Sequence, residues 1–381
     1  MNDRRDVVVI GAGLMGAAAA WALTERGLSV TLVEQFASGH ALGSSHGSAR
    51  IVRRAYGDPL YTALSGRAFE LWQAAESGSG STLLRMLGGL DFGPSDAVTP
   101  VAASLSSAGV PYEQLSPREA EARWPGMRFE GDVLFHEQAG TVDSAAAVDA
   151  FVLLALRGGA DVRWSTPVVS LAPAGSGAEV VLDTGESVSA GHVVVAAGAW
   201  IAPLLAGLVD LPPLTVTQQQ AFHFPRLDPS AQPWPSVIHR DFARVGGGIY
   251  HLAGGRDGGV GDDRKIGEHD AGRATSAASR DGLVDPASRA RLIEYVQRWL
   301  PGLSAAPSSE ATCLYTTTPS EDFVLDRVGP LVVCSPCSGH GAKFAPLIGE
   351  LVADLVTGVS GVPDRFSLAT HATAPRGSIS L

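Results

Sequence analysis

Three glycines near the start of the chain, in Gly11-Ala-Gly13-Leu-Met-Gly16, have the spacing of a tight strand-to-helix turn. With no side chains there, backbone amides and a helix N-terminus can approach a pyrophosphate. Glu34 follows about 20 residues later, where a carboxylate can accept from a ribose 2′-hydroxyl. The same carboxylate would repel the 2′-phosphate of NADP. The plainer alternative is a glycine turn that only packs helix on strand. The strand before it, the helix after it and the acid in place favour a nucleotide. The pattern alone does not separate NAD from FAD. Its place at the beginning of the chain, with further nucleotide-type strands hundreds of residues later, leans towards FAD.

Other reactive groups are scattered. Cys313 stands alone, and a lone cysteine is ordinarily a buried, inert thiol, although its thiolate is a nucleophile where cations lower its pKa. Cys334-Ser-Pro-Cys337 invites a redox or zinc reading. No second ligand pair exists, so zinc is rejected, and two small residues closing a buried strand are favoured. Arg50, Arg53 and Arg54 form a cluster that would ordinarily be solvated. The Gly43-Ser-Ser-His46 run before them favours a buried pocket.

The elements that must position these groups alternate between strand and helix. Val7–Ile10 reads as a strand buried on both faces, followed by an Ala-rich helix through Thr24, a stop at Gly27 and a strand at Ser29–Val33. A helix is expected over Tyr61–Glu76, then a loop at Ser77–Ser81. Ser116-Pro-Arg-Glu119 has the capping-box pattern, and Ala145–Arg157 reads as a helix. Strands are expected at Val168–Leu171, Glu179–Leu182, Val188 and, separately, Val193–Ala197, with a turn at Asp183-Thr-Gly185. Further strands fall at Gln219–Phe224 and Ile249–Leu252, before a Gly/Asp-rich stretch, Gly254–Asp263. A helix near Ser288–Leu300, a strand at Leu331–Val333 and a helix at Phe344–Val356 complete the pattern.

With 381 residues, 45% of them hydrophobic and 18% charged, the chain can bury a core in about two domains. A formal charge of −11 argues against nucleic acid or an anionic membrane as partner. The opening Met1–Asp6 runs straight into a strand, no apolar run is long enough to span a bilayer, and three cysteines make no disulfide framework. A reduced cytoplasm is expected.

Three segments carry a resemblance. Gly43-Ser-Ser-His46-Gly47-Ser-Ala-Arg50-Ile-Val-Arg53-Arg54-Ala-Tyr56 resembles the loop after the second strand in sarcosine oxidase-like flavoenzymes. Cys313-Leu-Tyr315-Thr-Thr-Thr-Pro319 resembles their covalent flavin-attachment segment, and Ser338-Gly-His340-Gly341-Ala-Lys343-Phe344 the turn into their last helix. The chain thus resembles the monomeric sarcosine oxidase and N-methyltryptophan oxidase branch of the D-amino-acid-oxidase-like group over nearly its whole length. The implied fold is α/β of mixed character: a Rossmann-like FAD-binding domain (1–78, 140–215 and 306–381) interleaved with a mixed-sheet substrate domain (79–139 and 216–305). The implied cofactor is FAD, bonded through its 8α-methyl carbon to the Cys313 sulfur.

The resemblance also implies roles. Gly11, Gly13, Gly16, Glu34, Ser44 and Ser45 would contact the cofactor, as would Arg50, Val168, Gly198, Trp200, Gly341 and Lys343. Arg53 and Lys343 would grip an amino-acid carboxylate, the one as a planar fork and the other as a point charge. Lys343 opens a helix, where a cation opposes the macrodipole, so a local anion is expected beside it. Lys265 would promote the reaction with oxygen, the alternative being a surface lysine in a Gly/Asp-rich loop. Tyr250, His269, Tyr315 and Cys337 would line the substrate cavity, with Cys337 replacing an aromatic wall, and the unusual Gln218-Gln219-Gln220 would add a polar lining. The implied reaction is oxidation of an N-methyl amino acid by hydride transfer to the flavin, with oxygen reduced to hydrogen peroxide, in a monomer. A cyclic amino acid such as proline or pipecolate is the rival substrate. A nucleotide-binding module without turnover is the remote alternative, since it would need neither Cys313 nor Lys265.

Overall fold

The computed structural model describes residues 4–240, 248–259, 261–359 and 361–373. Met1, Asn2 and Asp3 of the opening segment and Val260 of the Gly/Asp-rich stretch lie outside them. Arg5–Ile10 ends in four buried residues because it has a strand on either side. It pairs in parallel with Val30–Val33 and with Ser187–Val195. The outer neighbour of Val30–Val33 is Asp161–Arg163, also parallel.

Ser187–Val195 is one strand where two were expected, and it serves two partners on its far side. Its first residues pair antiparallel with Gly177–Leu182, and Val193–Val195 pair in parallel with Leu331–Ser335. Val168–Ala174 and Val324–Val328 complete an eight-stranded sheet. Five parallel strands therefore end at one edge, at Arg163, Val33, Ile10, Val195 and Ser335. In open α/β sheets, ligands bind outside such carboxyl ends.

The helices Leu14–Glu25, Ser144–Arg157 and Ala345–Thr357 pack together on this sheet. Close approach explains their small residues: Ala17, Ala18, Ala19 and Ala20 are fully buried, and a Cβ on Gly349 would strike the Ala18 backbone. The helix expected to stop at Glu76 continues to Ser79, so the expected loop at Ser77–Ser81 is largely helical. Gly78 lies against Leu154 of Ser144–Arg157, the Ser79 hydroxyl donates to the Ala75 carbonyl, and Gly80 ends the helix at φ +75°. Tertiary packing outweighs the weak helix propensity of Ser77, Gly78 and Ser79. The Ser116–Glu119 capping box forms as expected.

A second sheet of nine strands is built around Thr215–Phe224, which pairs along its length with Ser309–Thr317. Its opposite side meets Arg264–Glu268 and Arg273–Ala274, and the sheet continues through Ile249–Ala253, Ser236–His239, Gly89–Gly93, Asp132–His136 and Glu113–Leu115. Its core is aromatic, with Phe92, Phe129, Phe222, Phe224 and Trp299 around the helix Pro286–Trp299. Arg50–Arg53 is a short strand, not loop, because it pairs with Ala139–Val142 in a three-stranded sheet. Among the described residues no helix is long and apolar enough to cross a membrane.

Candidate active site

A cavity of about 1030 Å³ extends from the turn after Arg5–Ile10 to the strand Ser309–Thr317 and the turn before Ala345–Thr357. At the first end Gly11 adopts φ +100°, and a Cβ there would sit 2.7 Å from the Ala196 carbonyl oxygen. A Cβ on Gly13 would lie 3.1 Å from Ser45 Oγ. Gly16 does not line the cavity. Its Cβ would overlap the Gly11 carbonyl, so it serves to seat the helix on the turn. The helix has no capping side chain at Gly13, and the Leu14 amide donates to Ser45 Oγ at 2.9 Å. Buried Glu34 accepts from the amides of Ala12 and Phe36 at 2.9 and 3.0 Å, which leaves a lone pair on each carboxylate oxygen. Val168, Gly198 and Trp200 line the same end, where the Trp200 ring meets Phe36 edge-on.

Further along, Ser44 Oγ donates to the Leu314 carbonyl at 2.6 Å, which ties the loop before Arg50–Arg53 to the strand carrying Cys313. The Arg50 guanidinium donates to the carbonyls of Ser44, His46 and Ala49 and pairs with no carboxylate among the described residues. Lys265 Nζ donates to the Ala49 carbonyl at 3.1 Å. Burial, then repulsion from Arg50, brings this lysine's pKa down to about 7. Cys313 is half-buried in the cavity wall.

Arg53 and Lys343 meet at the other end. Arg53 Nη1 donates to Asp91 Oδ1 at 3.0 Å, and Arg240 donates to the same oxygen at 2.9 and 2.6 Å. Burial pushes the Asp91 carboxyl up, but Arg240 and Arg53 outweigh it and hold the group below its ordinary value. Lys343 Nζ donates to the His340 carbonyl at 2.8 Å and faces the Tyr56 ring at 5.3 Å, on which Arg53 also lies at 4.9 Å. Among the described residues Lys343 has no carboxylate partner, and burial, then Arg53, holds it well below its ordinary pKa. It precedes the helix Ala345–Thr357 in a 3₁₀ turn, Gly341–Phe344, so the helix itself begins at Ala345.

The walls between these cations are neutral. His269 is driven down to about 3, first by burial and then by Lys343 and Arg53. Tyr250 and Tyr315 share a hydrogen bond, and burial pushes both phenols up. Gly339, at φ +74°, lets the rings of His269 and Tyr315 close over the backbone, where a Cβ would be 2.7 Å from His269 Cε1. Cys337 lines the cavity and accepts from the Thr316 amide at 3.4 Å, its thiol raised by burial. Cys334 is buried and pushed up to about 12, and the two are not joined.

The model of the FAD dependent oxidoreductase family matches residues 6–355. The chain belongs to this family. A monomeric sarcosine oxidase of Streptomyces avermitilis is 35% identical to it, over 95% of this chain and 96% of the relative. An N-methyl-L-tryptophan oxidase of Yersinia pestis is 29% identical, over 91% and 94%. Among solved structures, the open form of NikD, an unusual amino acid oxidase essential for nikkomycin biosynthesis, superposes with a TM-score of 0.84 at 26% identity, over 96% of this chain and 97% of NikD.

This FAD-dependent oxidoreductase has a cradle that fits its cofactor. Gly11 and Gly13 let the turn pass close to Ala196 and Ser45 where a Cβ would crowd them, Ser45 Oγ takes the first amide of the helix behind them, and the cavity continues to Cys313. One expectation from the sequence fails. Gln218, Gln219 and Gln220 do not line the cavity. Gln218 bonds Asp281, Gly282 and Leu283, Gln219 bonds Asp270 and Gly272, and Gln220 accepts from the Asp285 amide, so the three amides staple the 270–285 segment to the sheet. Sequence reasoning missed Asp91, which holds Arg53, and Arg240, which shares the same carboxylate. Asp91 lies in a stretch for which the sequence gives no expectation, and the pairing of Gly89–Gly93 with Ser236–His239 brings Arg240 beside it.

Proposed function

We propose that this flavoenzyme oxidises the C–N bond of a secondary amino acid, N-methylated or cyclic, with FAD held covalently by Cys313 and oxygen as acceptor. The observation that carries the proposal is the pair of buried basic side chains, Arg53 and Lys343, at the cavity end beside neutral His269, where among the described residues Asp91 is the one carboxylate bonded to either. A carboxylate is the anion this end lacks. Arg53, already oriented by Asp91, offers its fork, and Lys343 adds a point charge. The same positive charge disfavours an ammonium, so the amine is bound neutral, with its lone pair available. The Tyr250–Tyr315 pair and His269 orient it and exclude water.

FAD, when bound, supplies the two-electron chemistry, taking hydride from the substrate carbon and passing the electrons to oxygen to give hydrogen peroxide. Arg50 and the uncapped turn before Ala345–Thr357 surround the middle of the cavity with positive potential, and Lys265 offers an ammonium to developing superoxide. Lys265 favours an oxidase over a dehydrogenase that passes electrons to another protein. The strands of the two large sheets support an interleaved division into FAD-binding and substrate domains, but with the last crossing near residue 324 in place of 306, because Ser309–Thr317 pairs within the second sheet. Three unpaired thiols suit the reduced cytoplasm, and we take the enzyme to act as a monomer.

A peroxide-release screen over N-methyl and cyclic amino acids tests the proposal, paired with the same screen on Arg53→Met. Turnover of at least one such acid, lost by a factor of about 10² or more in kcat/KM in the variant, is expected for a charge-assisted contact. Turnover of amines lacking a carboxylate, unchanged in Arg53→Met, would contradict it.

A further inference from the structure

His223 and Lys265 face one another in the antiparallel register of Thr215–Phe224 with Arg264–Glu268, so their side chains leave the same face of the sheet. Both line the cavity. His223 is only 3% exposed, its Nδ1 lies 3.0 Å from the Ser309 hydroxyl, and its Nε2 has no hydrogen-bond partner among the described residues. A ring nitrogen buried and unpartnered is costly. Its neighbours Phe222 and Phe224 fill space in the same strand without that cost.

Asp257 is the third member of the group. It lies on the short turn Gly255–Gly258, exposed to solvent and also lining the cavity. The Ser48 amide donates to Asp257 Oδ2 at 2.6 Å, and the Asp257 amide donates to Ser48 Oγ at 2.8 Å. The next residue, Ala49, accepts from Lys265 Nζ. Two consecutive residues thus fix the carboxylate and the ammonium. The charged groups that act on His223 are Lys265, Asp257 and Asp263. Burial first, then Lys265, keeps the imidazole below its ordinary pKa against the two carboxylates, and so neutral.

We propose that Asp257 and His223 form the proton supply of Lys265, leading from solvent to the oxygen side of the cavity. The proposal rests on the reading of Lys265 as the cation that meets oxygen. Oxygen takes two electrons and two protons to become hydrogen peroxide. The hydride from substrate brings both electrons and one proton, and the amine proton leaves to water when the iminium is hydrolysed. The second proton for peroxide comes from Lys265 Nζ. Lys265 is recharged from His223 Nε2–H as His223 Nδ1 takes the Ser309 hydroxyl proton, which solvent water replaces, and the Asp257 carboxylate stabilises the passing positive charge. His223 and Asp257 act through Lys265 and are positioning residues.

The test uses holoenzyme carrying His223→Ala, His223→Phe, Asp257→Asn or Lys265→Met. Anaerobic reduction by substrate and reoxidation by oxygen are followed separately, and acylation of Lys265 against pH is read by mass spectrometry. Both His223 variants should reoxidise about 10²-fold more slowly, the low end of what a positioned proton donor contributes, with reduction unchanged. Added imidazole should restore His223→Ala, which has room for it, and not His223→Phe. Asp257→Asn should lower the pH at which Lys265 titrates, a readout independent of turnover. Wild-type reoxidation in either His223 variant, no rescue by imidazole, or an unmoved Lys265 titration would overturn the proposal. If Lys265→Met itself reoxidises normally, the oxygen role of Lys265 fails. If that variant is slow while the His223 variants are not, only the proton supply fails.

Discussion

Asp91 accepts hydrogen bonds from two arginines, and only one of them, Arg53, reaches the cavity. Removing the shared carboxylate would leave two guanidiniums buried side by side. Asp91→Asn should therefore cost about 3–5 kcal/mol in stability, read from urea unfolding, because breaking a buried pair strands its partners. It should also raise KM more than it lowers kcat, since Arg53 loses its orientation before the substrate arrives. A variant as stable as the parent with unchanged KM would remove Asp91 from the account. The pH dependence belongs to Lys265. Its pKa of about 7 means that it is charged below that pH and neutral above it. Reoxidation by oxygen should fall as pH rises through 7, and Lys265→Met should be slow with no such slope. A profile that rises with pH would contradict the assignment.

Among the elements, Ser309–Thr317 does the most to join the two ends of the cavity. It carries Cys313 and Tyr315 on one strand, held in register by its pairing with Thr215–Phe224. The turn before Ala345–Thr357 supplies Lys343, and its shape depends on Gly339. Gly339→Ala would place a methyl group against Tyr315 and His269 at a positive φ. We expect a loss of about 1–3 kcal/mol in stability, with a larger fall in kcat/KM than in flavin content. Unchanged kinetics would show that the two rings do not need this close approach.

Local pattern made some elements legible and hid others. The Gly11–Gly16 turn, Glu34 and the segments at 43–56, 313–319 and 338–344 were readable because each is contiguous and each meets the cavity. The sequence suggests two strands within Ser187–Val195 because Gly191 interrupts the apolar run, whereas pairing on both sides carries a single strand through. The place of the glutamines at 218–220 is not legible in the sequence because alternation along a strand does not reveal which loop covers which face. Asp91, His223 and Asp257 escaped because their partners lie 38, 42 and 209 residues away in the chain.

At the scale of the molecule, two large sheets of different character share one cavity. The parallel edge at Ile10, Val195 and Ser335 offers the nucleotide end, with glycines and a helix terminus. The aromatic-cored second sheet brings Lys265, His269 and Tyr315 to the other end. Chain crossings between them, near residues 84, 139, 215 and 324, leave neither sheet made from one continuous stretch. In the function proposed above, a ring system fixed at the junction has cations on its substrate side and on its oxygen side. Acid denaturation of purified enzyme, followed by proteolysis and mass analysis of the flavin-bearing fraction, tests this most directly. The expected result is a yellow precipitate whose flavin maps to the peptide containing Cys313 and is absent from Cys313→Ser; yellow supernatant over a colourless pellet from the parent enzyme would contradict it.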